Sequence, residues 1–312
     1  MADYDLSLFR DHLKEMNITL SEAQERQFIT YYELLTEWNS FMNLTGITEF
    51  QEVLQKHFED SLALVKTVDI TKVQTLMDLG TGAGFPGLPL KIAFPHLKVV
   101  LLDSLGKRIK FLDHVIETLG LTGVTAIHGR AEDFARTKEY RENFDAVVSR
   151  AVANLSSLSE YCIPYTKLNG VFISYKSGKI QEELKDSEKA ISILGGKLEK
   201  VEKFRLSDSD IDRTLVVIGK KKKTPEKYPR KAGLPSKKPL KKNYFSRRYR
   251  ILSGASNCGS TFVFGTKWQV RDGSSSRYSS AVHSESGLSA PKIRQISRSG
   301  SETASLISTL RY

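Results

Sequence analysis

An aspartate followed by four glycines is the densest chemical signal in this chain, in the stretch Met77-Asp-Leu-Gly-Thr-Gly-Ala-Gly-Phe-Pro-Gly87. Gly82 to Gly87 fits G-x-G-x-x-G, the loop that holds a dinucleotide pyrophosphate on free backbone N–H groups at a helix start. Two residues oppose that ligand: Pro86 removes one donor, and Asp78 places negative charge close to where the phosphates would lie. A carboxylate at a strand end suits a cationic ligand without phosphate. S-adenosylmethionine, with its sulfonium and amino group, is one. Gly80, Gly82 and Gly84 would supply positive φ and let a ligand approach the backbone, and Pro86 suits a first helical turn. Asp103, closing KVVLLD, can accept from the ribose hydroxyls of either cofactor and so does not discriminate. The glycine loop therefore favours the methyl donor, with a nicotinamide oxidoreductase as the disfavoured alternative.

Two further strand ends add candidates. Gly129-Arg-Ala-Glu132-Asp133 offers an acid where adenine amino groups are commonly accepted, although a solvated Glu at a helix start reads equally well. FDAVVSRAV places Ser149 and Arg150 beside a methyl-transfer site, where Arg150 would bind a phosphate or carboxylate or form a salt bridge. Several chemistries lack their residues. No Asn-Pro-Pro-Tyr-like segment follows this strand, as methylation of an exocyclic base amine would lead one to expect. Attack through a pyrimidine C5 needs a cysteine nucleophile, but Cys162, in SEYCIPY, reads as buried in a helix. No His-Asp pair stands ready as a general base. A ring nitrogen with an in-plane lone pair would need none, and proximity could carry most of the reaction.

These residues need a scaffold that lines up strand ends. Residues 4 to 66 read as helices, with Ser21-Glu-Ala-Gln24 as a capping box and Thr48-Glu-Phe-Gln51 capping a second helix. From about residue 73, short apolar runs alternate with amphipathic stretches, which predicts a mostly parallel sheet covered on both faces. KLEKVEKFRL and RTLVVIGK close it as an antiparallel pair. The expected organisation is a helical cap (1–66), an α/β core (67–220), a basic segment (221–242) and a tail (243–312) of disordered composition, possible also for read-through or frameshifted coding sequence. TFVFGTKWQV is the one strand-like stretch in that tail.

Charge follows the same division. The chain of 312 residues carries a net +11, but residues 220–312 hold 21 Lys and Arg against four acids, leaving residues 1–219 at −6. An electrostatic argument for nucleic acid must rest on that segment or on a local patch. Two distant cysteines and six histidines without ligand spacing argue against disulfides and metals, and predict no metal cofactor. Without an apolar run long enough to span a bilayer or a signal core, no membrane association is expected and a cytoplasmic location fits.

The motifs WNSFMNLTGIT, KHFEDSL, MDLGTGAGFPGLPLKI, LLDSLGKRIKFLDHV, HGRAEDFA, FDAVVSRAVA and KYPRKAGLPSKKPL make residues 5–240 resemble the bacterial small-subunit rRNA guanine-N7 methyltransferases, also called glucose-inhibited division protein B. The resemblance implies a class I S-adenosylmethionine-dependent methyltransferase fold, Rossmann-like, with a seven-stranded sheet, helices on both faces and an N-terminal helical extension. It implies methylation of N7 of a guanosine in the decoding-site loop of 16S rRNA, on free rRNA or the small subunit. It points to Gly80, Phe85, Ala131, Glu132 and Arg150 as cofactor contacts beside Asp78, Gly82, Gly84 and Asp103. Arg150 is also the candidate for the transfer step. Asn43, His57 and Asp60 match its motifs, with packing and hydrogen-bonding roles expected. Lys176, Lys220, Lys221, Arg230 and Lys231 become candidates for RNA phosphate contacts. AGLP stands where a Thr or Ser before the proline is expected, and the tail lies outside the pattern. A methyltransferase on another acceptor and a non-catalytic, cofactor-binding ribosome-assembly factor remain alternatives.

Overall fold

The computed structural model describes residues 4–150, 153–178, 180–240, 250–257, 262–272 and 275–283. The cap begins with α1 (Ser7–Glu15) and α2 (Glu22–Met42). At the start of α2, Ser21 and Gln24 form the expected reciprocal capping box. The next helix departs from expectation. Its N-cap is Glu49 rather than Thr48, because the Glu49 carboxylate accepts the Glu52 N–H at 2.8 Å. It runs only through α3 (Phe50–Val53), widens into a π turn (Leu54–Glu59), and resumes as α4 (Asp60–Leu62).

The sheet follows in strict alternation: β1 (Thr75–Leu79), α5 (Gly87–Ala93), β2 (Lys98–Asp103), α6 (Gly106–Thr118), β3 (Val124–His128), α7 (Ala131–Phe134), β4 (Phe144–Ser149), α8 (Leu155–Cys162), β5 (Thr166–Ser177), α9 (Gln181–Ile193), then β6 (Gly196–Arg205) and β7 (Asp212–Lys220). Their order is β3-β2-β1-β4-β5-β7-β6, with β7 antiparallel to both neighbours and β1 parallel to β2 and β4. This is the class I methyltransferase sheet. Strand direction explains its sequence: β7 is inserted between two strands, so Leu215-Val-Val-Ile218 is apolar on both faces and buried. Order reverses between β1 and β4, which opens a crevice at their carboxyl ends. One hydrophobic cluster runs from Phe9, Phe28 and Phe58 of the cap to Leu76, Leu101 and Val148 of the sheet, so cap and sheet share a core.

Residues 1–242 form one compact unit, in which residues 221–240 close the described chain with a short α10 (Leu234–Lys237). A second unit starts at Asn243. Three of its segments are strands: β8 (Arg250–Asn257), β9 (Phe262–Asp272) and β10 (Ser275–His283), paired antiparallel in sequence order, and the strand-like stretch read in the tail falls largely in β9. Short-range hairpin pairing can satisfy backbone donors without the apolar content that composition looks for. The rest of the tail lies outside the described residues. Among the described residues, no helix is long and apolar enough to cross a membrane.

Candidate cofactor and methyl-transfer site

The glycine loop leaves β1 and turns into α5 at the crevice. Its amides have partners within the protein. Gly80 and Thr81 donate to the Leu102 carbonyl, Gly84 and Phe85 to the Thr81 carbonyl, Gly82 to Asp103 Oδ2 at 2.9 Å, and Gly87 to Asp78 Oδ2 at 2.8 Å. Few donors are left to wrap a pyrophosphate, which removes the physical basis of the dinucleotide reading. The two inner glycines differ in purpose. At Gly82 (φ +63°) an added Cβ would meet nothing within 4 Å, so the backbone faces open space; at Gly84 (φ +99°) it would meet Leu88 Cδ1 at 2.5 Å and Tyr31 Oη at 2.7 Å. Gly84, expected to line the cofactor, is thus required by packing.

Asp78 is fully buried at the end of β1. Its Oδ2 also accepts from the Thr81 hydroxyl at 2.7 Å, while Oδ1 has no hydrogen-bond partner among the described residues. Burial pushes its carboxyl up to about 6, against the lowering effect of the Thr81 and Gly87 hydrogen bonds and the Arg150 charge. An unsatisfied buried carboxylate oxygen is costly without a donor, so this strand end suits a cationic ligand group. Asp103, at the end of β2, is buried and accepts from Gly82, from the Leu105 N–H at 3.0 Å and from Arg108 Nη1 at 3.0 Å. It braces the glycine loop from the end of β2.

Phe85 packs under Arg150, whose guanidinium carbon lies 4.9 Å from the ring centroid. The ring also stacks on His57 (4.5 Å, 21°) and Tyr31 (5.5 Å, 30°). Arg150 donates to the Lys56 carbonyl at 3.2 Å, to Asp60 Oδ2 at 3.1 Å and to His57 Nδ1 at 3.2 Å. The π turn therefore brings the cap onto the end of β4. Desolvation, reinforced by the Arg150 charge, lowers His57 to about 3, so the ring is neutral. With Nδ1 accepting from Arg150, Nε2–H donates to Thr45 Oγ1 at 2.8 Å. Asp60 holds a second cation, accepting from Arg213 Nε at 3.1 Å on its other oxygen. His57 and Asp60 take the hydrogen-bonding roles expected of them. Asn43 is exposed, closing α2 in the left-handed conformation. Ser149 is buried and donates to the Leu79 carbonyl at 2.8 Å, tying β4 to β1.

The residues expected beside an adenine lie elsewhere in the network. Ala131 gives its carbonyl to the Tyr165 hydroxyl at 2.6 Å, and Glu132 Oε1 accepts the Gly233 N–H at 2.8 Å. No local sequence signal links residue 132 to residue 233. The RNA candidates need larger correction. Lys176 donates to the Ala153 carbonyl and to Glu183 at 2.7 Å. Lys220 is 1% exposed and donates to the Ile163 carbonyl and Thr224, beside Glu142 at 3.0 Å; desolvation lowers it to about 8. Arg230 grips buried Glu160 at 2.7 Å, and Lys221 pairs with Glu199 at 2.5 Å. Only Lys231 remains exposed without a partner among the described residues. Charge type alone does not reveal which cations satisfy buried carboxylates.

The family model described as rRNA small subunit methyltransferase G matches residues 24–215. The chain belongs to this family. The ribosomal RNA small subunit methyltransferase G of Lachnoclostridium phytofermentans is 56% identical over 236 residues, covering 76% of this chain and 98% of that protein. The one from Desulforamulus reducens is 52% identical over 240 residues, covering 77% of this chain and the whole relative. In this chain, the crevice of Asp78, Gly82, Phe85 and Arg150 is the candidate catalytic centre. Sequence reasoning missed Tyr31, Thr45 and Arg213, which come from elements distant in the chain.

Proposed function

We propose that the chain transfers a methyl group from S-adenosylmethionine to N7 of a guanosine in the decoding-site loop of 16S rRNA, in the cytoplasm. Membership of the rRNA small subunit methyltransferase G family carries this reading, and the unsatisfied Oδ1 of Asp78 at the crevice supports the cofactor. When bound, S-adenosylmethionine would supply an electrophilic methyl group on a sulfonium, and its transfer to the N7 lone pair would leave a neutral thioether and put the positive charge on the guanine. Asp78 holds a cationic cofactor group, and Asp103 accepts from ribose hydroxyls while fixing the loop. Gly82 leaves room over the backbone, and the Ala131–Glu132 turn borders the base.

Arg150, with about a fifth of its side chain exposed, presents fixed positive charge for a carboxylate or phosphate. Phe85 and Asp60 hold it in place. N7 bears no proton, so the reaction requires none of these residues to act as a base. Positioning then supplies most of the rate. A neutral, buried His57 is consistent with that division of labour.

The test is transfer of labelled methyl to rRNA from a strain lacking this protein, with the product mapped by chain cleavage at N7-methylguanosine. Label at one guanosine of the decoding loop is expected. Cofactor binding without label, on both free rRNA and small subunits, would overturn the assignment. Asp78→Ala should weaken cofactor binding, and Arg150→Ala should impair transfer at least as much as binding.

A further inference from the structure

Residues 221–240 carry eight basic side chains and one acid, and the fold sorts them into two groups. The segment leaves the end of β7, which runs antiparallel to β5, so it starts at the amino edge of the parallel strands. There the Thr224 N–H donates to Glu142 at 2.8 Å, and Arg141 donates to the Thr224 and Tyr228 carbonyls at 2.8 and 3.0 Å. It then climbs the helical layer. Arg136 donates to the Pro229 carbonyl, and Arg230 pairs with Glu160 of α8. At the upper end the Gly233 N–H meets Glu132, just past the carboxyl end of β3. The Pro235 carbonyl accepts from Ser157 at 2.8 Å, in the first turns after β4. The segment is a strap fixed from the bottom of the sheet to the edge that bears the cofactor crevice.

Along the same segment, on both sides of these anchors and between them, sit Lys222, Lys223, Lys227, Lys231, Lys237 and Lys238, all exposed and without an acidic partner among the described residues. Seating the strap does not use them. The cations turned inward, Lys220 and Arg230, do that together with Arg136 and Arg141 from the body. Six exposed ammonium groups on a pinned backbone make a surface of one sign, which a polyanion laid along it would match. Pro225, Pro229 and Pro235 restrict φ along the strap, so less freedom is lost on binding than in a loose basic tail.

We propose that this outward lysine face is the surface that grips RNA phosphates and leads the strand to the crevice. The proposal rests on the rRNA reading above and adds the residues and the route. Glu132, read above as bordering the base, also accepts the Gly233 N–H, so the strap meets the crevice at that residue.

The experiment measures binding of unmethylated 16S rRNA across a salt series by wild type and by a variant with all six lysines changed to Gln. Each lost phosphate contact lowers the slope of log affinity against log salt by about 0.7 on a single strand. A slope reduced by roughly 4, with S-adenosylmethionine affinity and melting temperature unchanged, supports the strap. Paired variants at Lys222/Lys223 and Lys237/Lys238 are expected to divide the loss, and they stand in if the sixfold variant does not fold. A variant that binds rRNA with wild-type affinity and slope overturns the strap while leaving the rRNA reading intact. If wild type itself neither binds nor methylates rRNA, the substrate reading falls and takes the strap with it.

Discussion

Asp78 is one buried carboxylate that fixes the glycine loop and, in the proposed reading, also serves the cofactor. One oxygen fixes Thr81 and Gly87, and the other has no donor among the described residues. Its carboxyl is raised to about 6, so the sign is that of a group whose ionised form costs the fold something. Its contribution to stability of the cofactor-free protein is fully present below the ordinary carboxylate range and is lost as pH rises through about 6. Cofactor binding has the opposite dependence, because a cationic group needs the ionised form. Affinity for S-adenosylmethionine, followed by calorimetry, should fall about tenfold per pH unit below about 6. Asp78→Asn should flatten that dependence. A wild-type affinity constant between pH 5 and 7 would rule out the contact.

At the scale of elements, the loop and the cap depend on each other. Tyr31 of α2 donates to the Ala83 carbonyl at 2.5 Å, and Gln24 donates to the Ile92 carbonyl at the end of α5 at 2.8 Å. Two loop glycines with one residue between them separate folding from binding. Gly84→Ala would push its methyl into Leu88 and Tyr31, an overpacking that costs about 1–3 kcal/mol and lowers the melting temperature. Gly82→Ala meets open space, so its folding cost is only the left-handed strain of about 1–2 kcal/mol. Its methyl nonetheless enters the space over the loop, and its larger effect should be on cofactor affinity. Thermal melts with and without cofactor distinguish the two. Equal loss of stability and binding in both variants would contradict this division.

For the whole molecule, the expected consequence concerns the second unit. Residues 1–242 contain the sheet, the cap, the strap and every residue assigned to the crevice. Deleting residues 243–312 should leave the unfolding midpoint and the methyl-transfer rate unchanged, as read by chemical denaturation and label incorporation. A drop in transfer with the fold intact would instead place part of the tail in RNA binding. The charge division bears on the same point, since 1–219 is mildly acidic and the strap is the basic feature joined to it.

The sequence by itself determined the strand-helix alternation, the antiparallel final pair, the loop at the end of β1 and the carboxylates Asp78 and Asp103. Each is written in local periodicity or in residues a few positions apart. Its motif resemblance also identified the family. Only the tertiary structure decided which side chains meet across the chain. It placed Glu132 against Gly233, Arg150 against the π turn, and Asp60 between two arginines. It also turned Lys220 and Arg230 inward while leaving six strap lysines in solvent. These outcomes depend on which buried carboxylates and carbonyls lack partners once the sheet has formed, a property of three-dimensional packing that no local pattern carries.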